Sequence, residues 1–231
     1  MIGFYDYTVI LTYMSLVSAV TGMGCAIGGH PIWATLCLLF CGLCDMFDGK
    51  VARAKKNRTA DEKAFGIQID SLSDIVAFGV LPAVIAICVS DRAWYVCAVS
   101  AFYVLAGLIR LAYFNVTEEL RQKSTSEVRK TYAGLPITSA ALIFPTFYCA
   151  VAVYCMCAED ITILLSLFQR TLLPLLLTAT MLITGILFIV PIKVRKPGSR
   201  TLYLFLVIGL ILAAILGSVF LLKGNAAFFR R

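Results

Sequence analysis

Two pairs of aspartates stand inside a chain that otherwise avoids charge: Asp45 with Asp48, and Asp70 with Asp74. Helical residues three or four apart share one face, so each pair presents two carboxylates in one direction. The basic stretch 54–63 joins the two segments, which makes them antiparallel neighbours whose four side chains can converge. An ionised residue at the bilayer centre costs about 2.5–3.5 kcal/mol on insertion scales, so four at intermediate depth require a cationic partner. One candidate is an ion-pair network with Lys50 and Arg53, although such side chains reach toward the interface while Asp45 and Asp74 lie deeper. A divalent metal is the better partner. Carboxylates without imidazole or thiolate select hard ions, Mg²⁺ or Mn²⁺, and two such ions about 3.5–4 Å apart clamp a phosphoryl or diphosphate group.

Small residues stand among the acids. Gly49 follows Asp48, Ala52 lies a turn on, and Gly66 lies a turn before Asp70. Glycine in a helix costs about 1 kcal/mol relative to alanine, so its use implies close approach, by another helix or by a ligand. Arg53, five residues past Asp48, adds a planar cation able to grip a phosphate with two hydrogen bonds.

The elements that must position these residues are membrane spans. Of 231 residues, 61% are hydrophobic and 14% charged, and the mean hydropathy is +0.91. Apolar stretches of roughly 20 residues, enough to cross a bilayer, fall near 8–28, 31–49, 65–90, 93–114, 133–157, 165–192 and 201–222. They predict an all-α polytopic membrane bundle of about seven transmembrane helices. Their continuity argues against a transmembrane barrel, whose segments alternate. Residues 1–7 lack the positive lead of a cleavable signal peptide, so the first helix is expected to stay. Residues 50–63, 110–130 and 193–200 hold 15 of the 20 Lys and Arg, which puts these alternate connections, and the N-terminus, in the cytoplasm. The net charge of +7 suits an anionic membrane surface and argues against nucleic acid.

Nine cysteines lie mostly in apolar helices, where Cys behaves as a small hydrophobe. Cys41 and Cys44 have no second pair, and the only histidine, His30, is expected near the opposite membrane face, which argues against a zinc or redox centre. Residues 1–231 read as one integral membrane catalytic domain, without repeat or linker. The polar run 116–132 reads as an exposed loop with a short helix, and 193–201 as a loop broken by Pro197 and Gly198.

Asp45-x₂-Asp48-Gly49-x₂-Ala52-Arg53, then Gly66-x₃-Asp70-x₃-Asp74, resembles the signature of the CDP-alcohol phosphatidyltransferases, integral membrane enzymes of phospholipid synthesis. Residues 54–65 make the spacer longer than the family's usual one, so a longer cytoplasmic turn is expected. "DSLSDIVAFGVLP" (70–82), "GLIRLAYFN" (107–115) and "YAGLP" (132–136) resemble the phosphatidylserine synthase branch, with Ala77 in place of the usual serine. The similarity covers most of residues 40–145 and leaves the last two helices unread.

The resemblance implies a six-helix core, a homodimer, and transfer of a phosphatidyl group from CDP-diacylglycerol to L-serine with a pair of Mg²⁺ or Mn²⁺ ions. It implies Asp45, Asp48 and Asp70 as metal ligands, and Asp74 as a further ligand or as the general base for the serine hydroxyl. Asp45, Gly49, Ala52, Arg53 and Gly66 would surround CDP-diacylglycerol, its acyl chains remaining among the membrane lipids. Arg110 either meets the serine carboxylate or snorkels to the interface; Asn115 and the turn at Gly134 and Pro136 either complete that pocket or cap helices. Within the family, inositol phosphate, glycerol 3-phosphate or choline are rival acceptors. An intramembrane prenyltransferase would carry its acidic motifs far apart in sequence, and a cation transporter would favour broken helices and pseudo-repeats. A compact chain without organelle-targeting features fits a prokaryotic inner membrane.

Overall fold

A computed structural model of the chain describes Gly3 and residues 6–55, 59–124, 131–157, 168–195 and 198–223. After a short turn at Tyr7–Val9, the helices are α1 (Ile10–Ile27), α2 (Pro31–Ala54), α3 (Ala60–Asp74), α4 (Leu81–Val89) and α5 (Trp94–Ser124). Then come α6 (Ala140–Cys157), α7 (Leu173–Ile189) and α8 (Ser199–Lys223). A π-helical turn, Ile75–Val80, fuses α3 and α4 into one rod. Among the described residues, six helical stretches are long and apolar enough to cross a membrane, and α7 is a shorter apolar helix. Large apolar side chains such as Val17, Leu105 and Leu204 stand exposed on the outer faces, which suits a lipid surround. The protein is an integral membrane helical bundle, as the apolar runs predict.

Local chemistry sets the boundaries. Pro31 opens α2, a position where a missing amide hydrogen costs nothing, whereas Pro82 follows the π turn inside the rod and offers no amide to the preceding turn. Thr59 and Glu62 form a reciprocal capping box, at 3.2 Å and 2.9 Å, so α3 begins at Ala60. Of the spacer after Arg53, Ala54 and residues 60–65 are helical, and residues 56–58 lie outside the described set.

Two expected loops are structured. α5 runs to Ser124, because Glu118 pairs with Arg121 at 2.6 Å and Glu119 with Lys123 at 2.7 Å, the spacing that supports a solvated helix. Residues 125–130 lie outside the described set. In the stretch expected as a loop at 193–201, Lys193–Arg195 form a strand, β2, antiparallel to β1 (Thr131–Ala133), with Val194 opposite Tyr132. Pro197 lies outside the described set. The ribbon is held because Gly134 donates to the Ile192 carbonyl and Leu135 to that of Leu187, at 2.9 and 3.0 Å. Gly134 has φ +78°, and a side-chain carbon there would lie 2.7 Å from the Phe188 carbonyl oxygen. Only glycine fits.

The ribbon brings the α5–α6 and α7–α8 connections to one end of the bundle. Lys55 pairs with Asp6 at 2.8 Å, which places the start of the chain beside the α2–α3 turn. Both pairings agree with the alternation read from Lys and Arg. Cys41 donates to the Ser15 carbonyl and Ser73 to that of Thr12, each at 3.2 Å. These bonds fix one face of α2 and one of α3 against α1. Their acidic faces turn into the bundle.

Candidate active site

The acids from the two helices meet. Asp48 and Asp70 approach one another across the gap between α2 and α3. Asp45 interacts electrostatically with Asp70, and Asp74 with Asp45, Asp48 and Asp70. The cation set against Asp45 and Asp74 is Arg110, from α5. It is only 9% exposed, and its guanidinium lies 5.9 Å from the centre of the Phe114 ring. The snorkelling alternative for Arg110 is thereby corrected: the side chain turns inward, where the carboxylates attract it.

Other expected residues fall around this cluster. Gly66 is buried, while Gly49 and Ala52 are half-buried. The side chain of Arg53 lies outside the described set. Lys50, the ion-pair alternative set aside in favour of a metal, sits over the Phe47 ring at 5.0 Å, an ordinary cation–π distance. Asn115 donates to the Ser71 hydroxyl at 2.8 Å, so both side chains are oriented at the mouth of the acidic cluster. Cys41 and Cys44 are buried and free, in keeping with a packing role.

The donor set is all oxygen, the chemistry of a hard divalent ion. Two carboxylates that approach one another, as Asp48 and Asp70 do, repel unless a proton or cation lies between them. Among the described residues, no three His, Cys, Asp or Glu side chains are gathered tightly enough to hold an ion as they stand.

Three features that hold the site are absent from the sequence reading. First, the π turn begins directly after Asp74. Such a turn disturbs the regular ladder of helix hydrogen bonds, and the Phe78 carbonyl within it accepts from the Tyr103 hydroxyl at 2.6 Å. Second, Gly107, one turn before Arg110, lets α5 close on that turn: a side-chain carbon there would lie 2.8 Å from Ile137 and 3.4 Å from Ile75. "GLIRLAYFN" contains that glycine, but nothing in the sequence says what approaches it. Third, α8 lines the site.

The acids open into a cavity of about 1600 Å³. Asp45, Asp70, Asp74, Arg110, Ser71 and Asn115 form its polar end. Pro136 and Val194 contribute from the ribbon side, and α2, α6 and α8 supply the apolar walls. Asp48 does not line it and meets the cluster through Asp70.

Beneath the acids, Lys55 bridges Asp6 at 2.8 Å and Glu62 at 3.1 Å. The hydrogen bond from Lys55 holds the Asp6 carboxyl below its usual range. Those from Lys55 to Asp6 and Glu62 raise the ammonium above its own.

Known proteins resemble the chain in sequence. The chain is 36% identical over 150 residues to a CDP-diacylglycerol–serine O-phosphatidyltransferase of Saccharomyces cerevisiae, covering 62% of this chain and 53% of that one. It is 33% identical over 140 residues to an archaetidylserine synthase of Methanothermobacter thermautotrophicus, covering 60% and 56%. Against a CDP-diacylglycerol–serine O-phosphatidyltransferase of Helicobacter pylori it is 39% identical over 107 residues, covering 43% and 38%. The matches thus span about half the length of these curated relatives or less. The family model for CDP-alcohol phosphatidyltransferase matches residues 7–227, nearly the whole chain. With the paired acids of α2 and α3 facing one another as that signature requires, the chain belongs to the CDP-alcohol phosphatidyltransferase family.

Proposed function

We propose that the chain transfers the phosphatidyl group of CDP-diacylglycerol to the hydroxyl of L-serine, giving phosphatidylserine and CMP. The observation that carries this reading is one cavity that combines the carboxylates and Arg110 with walls that are mostly apolar. A donor that is a diphosphate at one end and hydrocarbon at the other suits it. Support for serine as acceptor comes from the names of the yeast and Helicobacter relatives.

Phosphoryl transfer asks a protein chiefly for positioning and charge neutralisation. Asp45, Asp48, Asp70 and Asp74 would hold Mg²⁺ or Mn²⁺, which when bound neutralises the diphosphate and stabilises CMP as it leaves. Asp74 stands deepest on α3 and accepts the serine hydroxyl proton as the serine oxygen bonds to the phosphatidyl phosphorus. The bond from that phosphorus to the bridging oxygen breaks, and its electron pair leaves with CMP. Arg110 balances the charge of Asp45 and Asp74 and orients them. Gly49, Ala52, Gly66 and Arg53 are assigned to the nucleotide by the resemblance of their motif, although none of the three small residues lines the cavity. Asn115, already oriented by Ser71, meets the polar groups of serine together with Arg110.

In this reading residues 1–231 act as one catalytic domain. The site faces the cytoplasm with the N-terminus on the same side, and the protein pairs as a homodimer. Purified protein given CDP-diacylglycerol and Mn²⁺ should release CMP when L-serine is added. Release with glycerol 3-phosphate or inositol phosphate but not with serine overturns the acceptor and keeps the chemistry. No release with any of these overturns the reading.

A further inference from the structure

The cavity is larger than its polar end requires. Its volume of about 1600 Å³ exceeds the roughly 300–1,000 Å³ of ordinary small-molecule sites. The surplus runs along α8, where Thr201, Phe205, Gly209 and Ala213 line it at four-residue spacing. They form one helical face, about 18 Å long at 1.5 Å per residue. On the facing wall the lining of α2 extends from Met46, beside the acids, back to Leu36, about 15 Å by the same rise. Trp33 and Phe220 then meet edge to face, with ring centres 5.2 Å apart, and tie α2 to α8 beyond the cavity. One leaflet of bilayer hydrocarbon is about 15 Å deep, so the channel has the length of one acyl chain and is continuous with the diphosphate end.

We infer that α8 is the acyl-selecting wall of the site: one chain of the lipid donor lies between α2, α6 and α8, and Gly209 and Ala213 leave space for its distal carbons. The inference rests on the proposed donor and departs from the expectation that both chains stay among the membrane lipids. It concerns binding, so it does not depend on the acceptor. Nothing lies within 4 Å of where a side chain at Gly209 would begin. A larger residue there grows into the channel instead of into a neighbouring helix, and the fold tolerates it.

The test is equilibrium binding of radiolabelled dioleoyl and dioctanoyl CDP-diacylglycerol to the purified protein with Mn²⁺. Gly209→Leu and Gly209→Leu/Ala213→Leu should weaken dioleoyl binding about tenfold, the usual scale for excess bulk in an apolar pocket. Dioctanoyl binding should stay within about twofold. Leu221→Ala, on the exposed side of the same helix and away from the cavity, should change neither. Equal weakening of both donors would show that α8 acts only on the architecture, and unchanged dioleoyl binding would show that the chain lies outside the channel; either overturns the inference. If the wild-type protein binds the donors with this selectivity but serine fails to release CMP, the acceptor reading falls and the role of α8 stands. If it binds neither donor, the donor reading falls and the inference with it.

Discussion

Arg110 is the residue on which the acidic cluster depends most. It is buried and acts electrostatically on Asp45 and Asp74 from two other helices, and a buried polar group that loses its partner costs about 1–3 kcal/mol. Arg110→Met should therefore lower thermal stability in detergent by that order, while Arg110→Lys, which keeps the charge but loses the planar fork, should recover most of the stability and little of the activity. Asp74→Asn should reduce kcat by about 10²–10⁴, the range for a lost general base, yet leave donor binding measurable. Full activity in that variant would remove Asp74 from the mechanism. At the foot of the site, the lowered Asp6 contributes above the ordinary carboxylate range, and its contribution is lost as pH falls through the lowered value. The raised Lys55 contributes below the ordinary lysine range, and its contribution is lost as pH rises through the raised value. Protection of the first α3 turn from amide exchange should thus be flat between about pH 5 and 9 and fall outside it. Lys55→Ala should abolish the plateau. The aspartates were legible in the sequence because spacing alone places them on one helical face. The partner of Arg110 was not, since it depends on how α5 rotates against α2 and α3.

At the scale of elements, a π turn begins directly after Asp74. Its stability draws on the bond from Tyr103 to the Phe78 carbonyl, made within a ring cluster that includes Phe144 and Phe188 at 5.5 and 5.4 Å. Tyr103→Phe leaves that buried carbonyl without its donor, at about 1–3 kcal/mol, and should lower kcat with little change in donor affinity. A loss of donor affinity with kcat unchanged would mean that the turn serves only packing. Composition and hydropathy do not betray the turn, because an added residue per turn changes neither; Pro82, which removes an amide inside an apolar run, is the local signal beside it. The tail of α5 was misread for a different reason. Residues 116–124 are polar enough for a loop, but their charges pair at helical spacing, and polarity alone does not separate a solvated helix from a turn.

The whole molecule was legible where length and charge determine it and illegible where uniform hydrophobicity hides direction. Runs of about 20 apolar residues fix the spans, and the distribution of Lys and Arg fixes which connections share an end; the β1–β2 ribbon agrees. α8 is apolar all round, so nothing in its sequence distinguishes the cavity face of Phe205 and Gly209 from the lipid face of Leu204 and Leu221. The ribbon that closes the α5–α6 and α7–α8 connections rests on Gly134. Gly134→Ala, strained in φ and in contact with a carbonyl, should cost about 1 kcal/mol or more, seen as a lowered unfolding midpoint with the spans intact by circular dichroism. The central claim is that the acids of α2 and α3 jointly hold divalent ions against the diphosphate of the donor. Electron paramagnetic resonance titration of Mn²⁺ in the presence of CDP-diacylglycerol tests it most directly. The wild type should bind about two ions per chain, and Asp45→Asn and Asp70→Asn should each lose binding; undiminished Mn²⁺ uptake in both variants would contradict the account.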